Sequence, residues 1–263
     1  EAHVWSKLSH ENILPFFGIT TKFDLTVSIV SKWMMAGNAH DYVQDPTIDP
    51  RPLMAGIARG MCYLHTHPLG PIVHGDLKGS NVLISDEGHA LITDFGYTSL
   101  ANSSFNMTVA APKGGTIKWT SPEIIESFGA ERECLMSIEG DTWAYGMTCL
   151  ELFTRQVPFP NSKSWNSIVT RILAGPPERP SDNVTNFRMS DEWWNISSLC
   201  WARDPLLRPS MSELLRKVEE TKVSVLIHLC NMLTRQIRLS QTQLSCWLNC
   251  LSERIISASI SMT

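Results

Sequence analysis

No apolar run in this 263-residue chain reaches the roughly 18 residues that a membrane-spanning helix requires. The best stretch, 223–233, is broken by His228 and Asn231, so membrane insertion is not expected. An excess of basic charge is also missing. Lysine and arginine total 22 against 26 acids, a net charge of −4. That balance excludes a broad nucleic-acid-binding surface. There is no Cys-x-x-Cys pair, and the seven cysteines (Cys62, Cys134, Cys149, Cys200, Cys230, Cys246, Cys250) are scattered. Cys246 and Cys250 have helical spacing, yet no second pair completes a zinc site. Reduced thiols in a cytoplasmic, reducing compartment are the expectation. Disulfide staples are not needed, because a chain this long buries about 70–75% of its unfolded surface.

The residues that are present alternate between short strands and helices. Val4, Trp5 and Leu8 predict a helix over 1–8. Strands are expected over 13–20 and 25–31, split by a polar turn at 21–24. Gly37-Asn38 breaks the chain before a short helix over 39–44. A cluster of Pro46, Pro50 and Pro52 then separates it from a strong amphipathic helix over 53–65. Two apolar strands, 81–84 and 90–93, flank the turn Asp86-Glu87-Gly88. Residues 96–118 read as a long polar loop. Helices follow over 122–127, 138–154, 164–174, 191–201 and 212–220. The segment 221–263 has no Gly, Pro or Asp and a single acid, Glu253. It is expected to be a helical or disordered extension.

The chemistry concentrates in Val73-His74-Gly75-Asp76-Leu77-Lys78-Gly79-Ser80-Asn81, which leads straight into an apolar strand. Asp76 precedes Asn81 by five residues, and thirteen residues later comes Asp94 in Thr93-Asp94-Phe95-Gly96. Phosphoryl transfer from a nucleotide needs Mg²⁺ held by oxygen ligands and a group that orients the attacking hydroxyl. Asn81 and Asp94 can deliver an amide oxygen and a carboxylate to the metal from adjacent strand ends. Asp76 can accept the hydroxyl proton, and Lys78 can offset charge on the transferring phosphate.

With these motifs the chain resembles the eukaryotic protein kinase superfamily, in its tyrosine-kinase-like branch, over about residues 1–220. His10-Glu11-Asn12-Ile13-Leu14, Ser121-Pro122-Glu123, Asp141-Thr142-Trp143-Ala144-Tyr145-Gly146 and Cys200-Trp201-Ala202-Arg203-Asp204-Pro205 with Arg208-Pro209 match further stretches of that family. The resemblance implies an α+β, bilobal fold with a mostly helical C-lobe and an incomplete N-lobe sheet. The lobes would be 1–34 (a partial N-lobe with hinge) and 35–220, followed by the 221–263 extension. It implies ATP and Mg²⁺ as cofactors and protein substrates. Asp76, Lys78 and Asn81 would be catalytic, with Asn81 and Asp94 on the metal. Glu1 would be the helix glutamate that pairs with a nucleotide-anchoring lysine. Ser31 would guard the back pocket, Lys32 to Met34 would present hinge backbone to adenine, and Leu83 would pack beneath the base. Trp5, Phe16, His74 and Phe95 would stack, with Asp141 holding the base of the stack. Glu123 and Arg208 would form a structural ion pair.

The sequence departs from the family pattern in two places. The Gly-rich loop and the lysine-bearing strand would lie ahead of Glu1. The chain, which starts with Glu rather than Met, is therefore expected to be a piece of a longer protein and to bind ATP weakly or not at all by itself. Gly75 stands where many kinases carry an arginine that grips an activation-segment phosphate. Activity independent of the hydroxyls of Tyr97, Thr98, Ser99, Ser103, Ser104 and Thr108 is the corresponding expectation. Lys78 and Thr116 fit the serine/threonine pattern, whereas Ile117-Lys118-Trp119-Thr120 is similar to the tyrosine-kinase stretch. Two rival functions remain. One is a small-molecule phosphotransferase, which shares His74-Gly75-Asp76 but not the later motifs. The other is a non-catalytic kinase-homologous binding module.

Overall fold

The computed structural model describes residues 2–22, 28–95, 99–100, 114–129 and 136–221. The expectations for Glu1, for the hydroxyls of Tyr97, Thr98, Ser103, Ser104 and Thr108, and for 222–263 fall outside these residues. Two compact units divide the chain, Glu1–Val218 and Glu219–Thr263.

The first helix, α1, covers Ala2–Trp5. It is shorter than the expected 1–8, because the chain tightens into turns, with Leu8 N–H donating to Trp5 O at 3.0 Å. Trp5 and Leu8 are still buried. Strand β1 (Phe16–Thr20) pairs antiparallel with β2 (Ser28–Ser31) in a two-stranded sheet, with an irregularity between Phe16 and Gly18. Ile13 lies ahead of β1 and is diverted instead to the strand Ala90–Ile92, through a parallel bridge to Ile92. The buried Asn12 makes the same junction from its side chain, donating Nδ2–H to Ala90 O at 2.9 Å.

Asn38 caps α2 (Ala39–Tyr42) by accepting Asp41 N–H at 2.9 Å. Helix α3 is Pro50–His65, three residues longer at its start than expected from the proline cluster. Pro50 and Pro52 do not separate the helix from what precedes it. They occupy the first turn, where no intrahelical N–H is needed. Asp49 caps that turn by accepting Arg51 N–H at 3.0 Å. Leu53, Met54, Ile57, Ala58, Met61 and Leu64 form the buried face of α3.

Strand β3 (Ile72–Val73) precedes the loop bearing Asp76, and β4 (Val82–Ile84) and β5 (Ala90–Ile92) form the expected hairpin. Its turn is closed by Ser85 N–H to His89 O at 2.9 Å. The segment read as a structureless loop contains two pieces of order. Strand β6 (Ser99–Leu100) pairs antiparallel with β3, and a 3₁₀ turn covers Gly114–Trp119. Two-residue strands carry no periodicity to read, which is why sequence missed both β3 and β6.

Among the described residues, the longer elements that follow are helices: α4 (Pro122–Gly129), α5 (Ile138–Thr154), α6 (Trp165–Leu173), α7 (Asp191–Leu199) and α8 over 211–221. Helix α5 starts where Ser137 accepts Gly140 N–H at 3.0 Å, and it is buried without a break from Gly140 to Phe153. A helix enclosed on all sides is the axis of a core rather than a surface element. It packs on α3, α7 and the turn at Gly114–Trp119. Helical mass with, among the described residues, three small antiparallel sheets is the expected α+β class.

Candidate active site

Local backbone chemistry brings the predicted loop residues together. The chain leaves β3 at Val73 and is caught by Asp141 near the start of α5. Asp141 Oδ2 accepts His74 N–H and Oδ1 accepts Gly75 N–H, both at 2.8 Å. The His65 imidazole bonds Asp141 Oδ2 at 2.9 Å. One buried carboxylate therefore fixes the entry to the loop, with charge-assisted bonds. Gly75 bends the chain at φ +79°. At the loop's far end a 3₁₀ turn, Gly79–Asn81, feeds β4.

Between these anchors Asp76 is 5% exposed. Its Oδ2 accepts Lys78 Nζ–H at 2.7 Å and Asn81 Nδ2–H at 2.9 Å. Its Oδ1 is buried and has no hydrogen-bond partner among the described residues. Lys78 Nζ also donates to Thr116 Oγ1 at 2.8 Å, joining the loop to the turn before α4. Asn81 Nδ2 bonds Asp76 O at 2.8 Å as well, while Asn81 Oδ1 meets the Ser80 hydroxyl at 3.4 Å. Thr93 N–H donates to Asn81 O at 3.0 Å, so Asp94 follows directly on the residue that is bonded to Asn81. Asp94 is exposed and sits at φ +63°, a conformation that side chains other than glycine rarely adopt. Backbone of this kind persists only where its surroundings over-determine it.

The remaining predicted positions are placed as follows. Ser31 ends β2 and is half-buried. Lys32 is exposed, with Nζ on Asp86 Oδ2 at 2.8 Å. Met34 is buried, and its carbonyl accepts Gly37 N–H at 3.2 Å. Leu83 lies in β4 and bridges to Asn38. The aromatic stack is present: Trp5 lies 5.8 Å from Phe16 and 5.2 Å from Phe95, and His74 lies 5.5 Å from Phe95, centroid to centroid. Trp5 Nε1–H also donates to Leu14 O. The Glu123–Arg208 pair is bidentate, at 2.6 and 2.7 Å, with the arginine side chain fully buried. Burial raises the Glu123 carboxyl, but the bonds and charge of Arg208 together with local hydrogen bonds hold the group below the ordinary glutamate range.

Sequence reasoning missed Glu151, His40 and His65. Glu151 is 1% exposed and accepts three bonds: Gly79 N–H and Trp119 Nε1–H on Oε2, both at 2.9 Å, and His40 Nδ1 on Oε1 at 2.7 Å. One signal was available: a lone acid inside the apolar run Cys149-Leu150-Glu151-Leu152-Phe153. Acids are almost never fully buried unless paired.

A family profile described as "Protein tyrosine and serine/threonine kinase" matches residues 1–218. The chain is 27% identical to "Tyrosine-protein kinase SPK-1" of Girardia tigrina, over 83% of this chain and 44% of that protein. It is 28% identical to "Probable serine/threonine-protein kinase drkC" of Dictyostelium discoideum, over 83% of this chain and 28% of that protein. It is 29% identical to "Protein-tyrosine kinase 6" of Mus musculus, over 83% of this chain and 46% of that protein. It thus spans less than half the length of each of these relatives. With a profile match along most of its length and a loop whose side chains converge, the chain belongs to the protein tyrosine and serine/threonine kinase family.

Proposed function

We propose that these residues form the phosphoryl-transfer site of a kinase that moves the γ-phosphoryl group of ATP to a serine or threonine hydroxyl of a protein. The divided carboxylate of Asp76 carries this reading. Oδ2 is tied by Lys78 and Asn81, while Oδ1 is left as a buried acceptor with no partner among the described residues. Such an acceptor is costly to leave open. A substrate hydroxyl satisfies it and is thereby aimed for attack, with Asp76 accepting its proton. Lys78 holds positive charge beside the base, at the place where charge develops. Lys78 and Thr116, bonded to each other, are the two residues that match the serine/threonine pattern of the family, and on that resemblance the serine/threonine acceptor is favoured over tyrosine.

The donor set fits Mg²⁺. Asn81 turns its N–H groups inward onto Asp76, so its amide oxygen, together with the Asp94 carboxylate, is the group that would hold a hard cation. When bound, the ion neutralises charge on the nucleotide phosphates. Glu1, Ser31, Lys32, Met34 and Leu83 are proposed for the nucleotide side. Residues 1–34 then form part of the N-lobe, 35–220 the C-lobe and 221–263 an extension. Among the described residues no helix is long and apolar enough to cross a membrane. A reducing, cytoplasmic setting is proposed, one in which thiols such as Cys62, Cys149 and Cys200 stay free.

The test is transfer of labelled γ-phosphate to protein acceptors by the protein expressed from its own gene, followed by phosphoamino-acid analysis. Label in phosphoserine or phosphothreonine is expected. Asp76→Asn should slow transfer by at least about 10²-fold, the usual contribution of a positioned base. Undiminished transfer by that variant would defeat the assignment.

A further inference from the structure

We infer that Glu151 positions both sides of the transfer site, with His40 as the latch on its second oxygen; the inference rests on the kinase reading above. The three donors to this carboxylate come from three separate elements. Gly79 lies in the loop between Lys78 and Asn81. Trp119 ends the turn that also carries Thr116. His40 belongs to α2. Asp76 and Asn81 act on the phosphate and acceptor from one side, and Thr116 braces Lys78 from the other. Glu151 is the group that fastens these two sides to the same buried helix, α5.

The seat is close-fitting. A Cβ added at Gly79 would stand 2.7 Å from Glu151 Oε1 and 2.9 Å from its Cδ, nearer than real Cβ atoms come. Glycine here lets the backbone approach the carboxylate. The imidazole of His40 is the one basic side chain bonded to Glu151 among the described residues. A buried carboxylate deprived of such a partner is expensive. The bond does not require a charged imidazole, because neutral His40 can still donate from Nδ1. Protonation strengthens it.

The electrostatic surroundings of His40 are simple. Glu151 faces it from α5, and Asp41 stands beside it on α2. The turn Gly79–Asn81 and strand Val82–Ile84, which also pack against α2, contribute no titratable side chain. The bond from Glu151, opposed by partial burial, holds the imidazole above its ordinary value of 6.5. The charged latch is therefore complete below 6.5 and is lost as the pH rises through the raised value.

Three measurements test this. In the first, Glu151→Gln keeps the side-chain shape but turns an amide N–H₂ toward one of the donors. Its kcat, normalised to folded nucleotide-binding sites, should fall about 10- to 100-fold with the KM for MgATP little changed, as expected when catalytic groups are displaced by up to about 1 Å. A role in stability alone would lower the number of sites and leave kcat per site intact. In the second, His40→Gln should remove the alkaline fall in kcat that wild type shows through the His40 titration. In the third, NMR of the 263-residue chain should show the Gly79 amide and the Trp119 indole N–H shifting together with the His40 imidazole, and not in His40→Gln. Should Glu151→Gln fail to fold, the other two measurements decide. Unchanged kcat per site in Glu151→Gln, matching pH profiles for wild type and His40→Gln, or resonances of Gly79 and Trp119 that ignore His40 would each overturn the inference. Coupled resonances in a protein that transfers no phosphate would uphold the latch and overturn the kinase reading instead.

Discussion

Gly75 adopts φ +79° where its N–H is held by Asp141. An L-residue in that left-handed region costs about 1–2 kcal/mol. Gly75→Ala should therefore lower stability by about that amount, read as a smaller urea midpoint at constant m-value. The glycine that looks in sequence like a lost phosphate-gripping arginine is thus also the residue best suited to the bend. Asp94 shows the opposite choice. It keeps a φ of +63° without being glycine, in a region that aspartate tolerates better than most side chains. The meeting of Asp76, Lys78 and Asn81 was legible because an acid, a lysine and an amide at that spacing are the residue types that phosphoryl transfer would need. His40, His65 and Glu151 were not, since a single polar residue in an apolar stretch names no partner.

Among the elements, α3 illustrates how a correct helix can be given the wrong start. The prolines at 50 and 52 read as a barrier, but both fall in the first turn, where the missing N–H costs nothing. Asp49 is what opens the helix, accepting Arg51 N–H and pairing with the Arg51 guanidinium. Asp49→Ala should destabilise the protein by about 1 kcal/mol, whereas Asp49→Asn, which keeps the cap, should cost only a few tenths. Thermal melts of the two variants check this; equal losses would mean that the ion pair rather than the cap matters. Helix α5 was predicted with its observed bounds because a mostly apolar, proline-free stretch from Trp143 to Phe153 follows the acids Glu139 and Asp141, which suit a helix start. The two-residue strands β3 and β6 were illegible, since their pairing is decided by tertiary position and not by local pattern.

On the scale of the whole molecule, the Glu123–Arg208 bridge ties the start of α4 to the chain beyond α7. Arg208 also donates to Glu139 O and lies over the Trp143 ring at 5.2 Å. Because the folded Glu123 carboxyl is held below its ordinary value of 4.5, its contribution is fully present above that value. It is lost as the pH falls through the lowered one. Glu123→Gln should cost about 3 kcal/mol at neutral pH, because it leaves a buried guanidinium without its counter-charge. It should also flatten the acid limb of a stability-versus-pH curve measured by urea unfolding between pH 6 and pH 3. An acid limb as steep as that of wild type would assign the acid sensitivity to other carboxylates.

Enclosure of α5 has a further consequence. Cys149 on this helix and Cys200 beyond α7 are fully buried, and burial pushes Cys149 up to about 12 and Cys200 higher still. Neither sulfur presents an anion to a maleimide or a disulfide reagent while the fold is closed. Their alkylation rate becomes a clock for global opening, recorded at the molecular axis itself, and half-buried Cys62 serves as the faster internal reference.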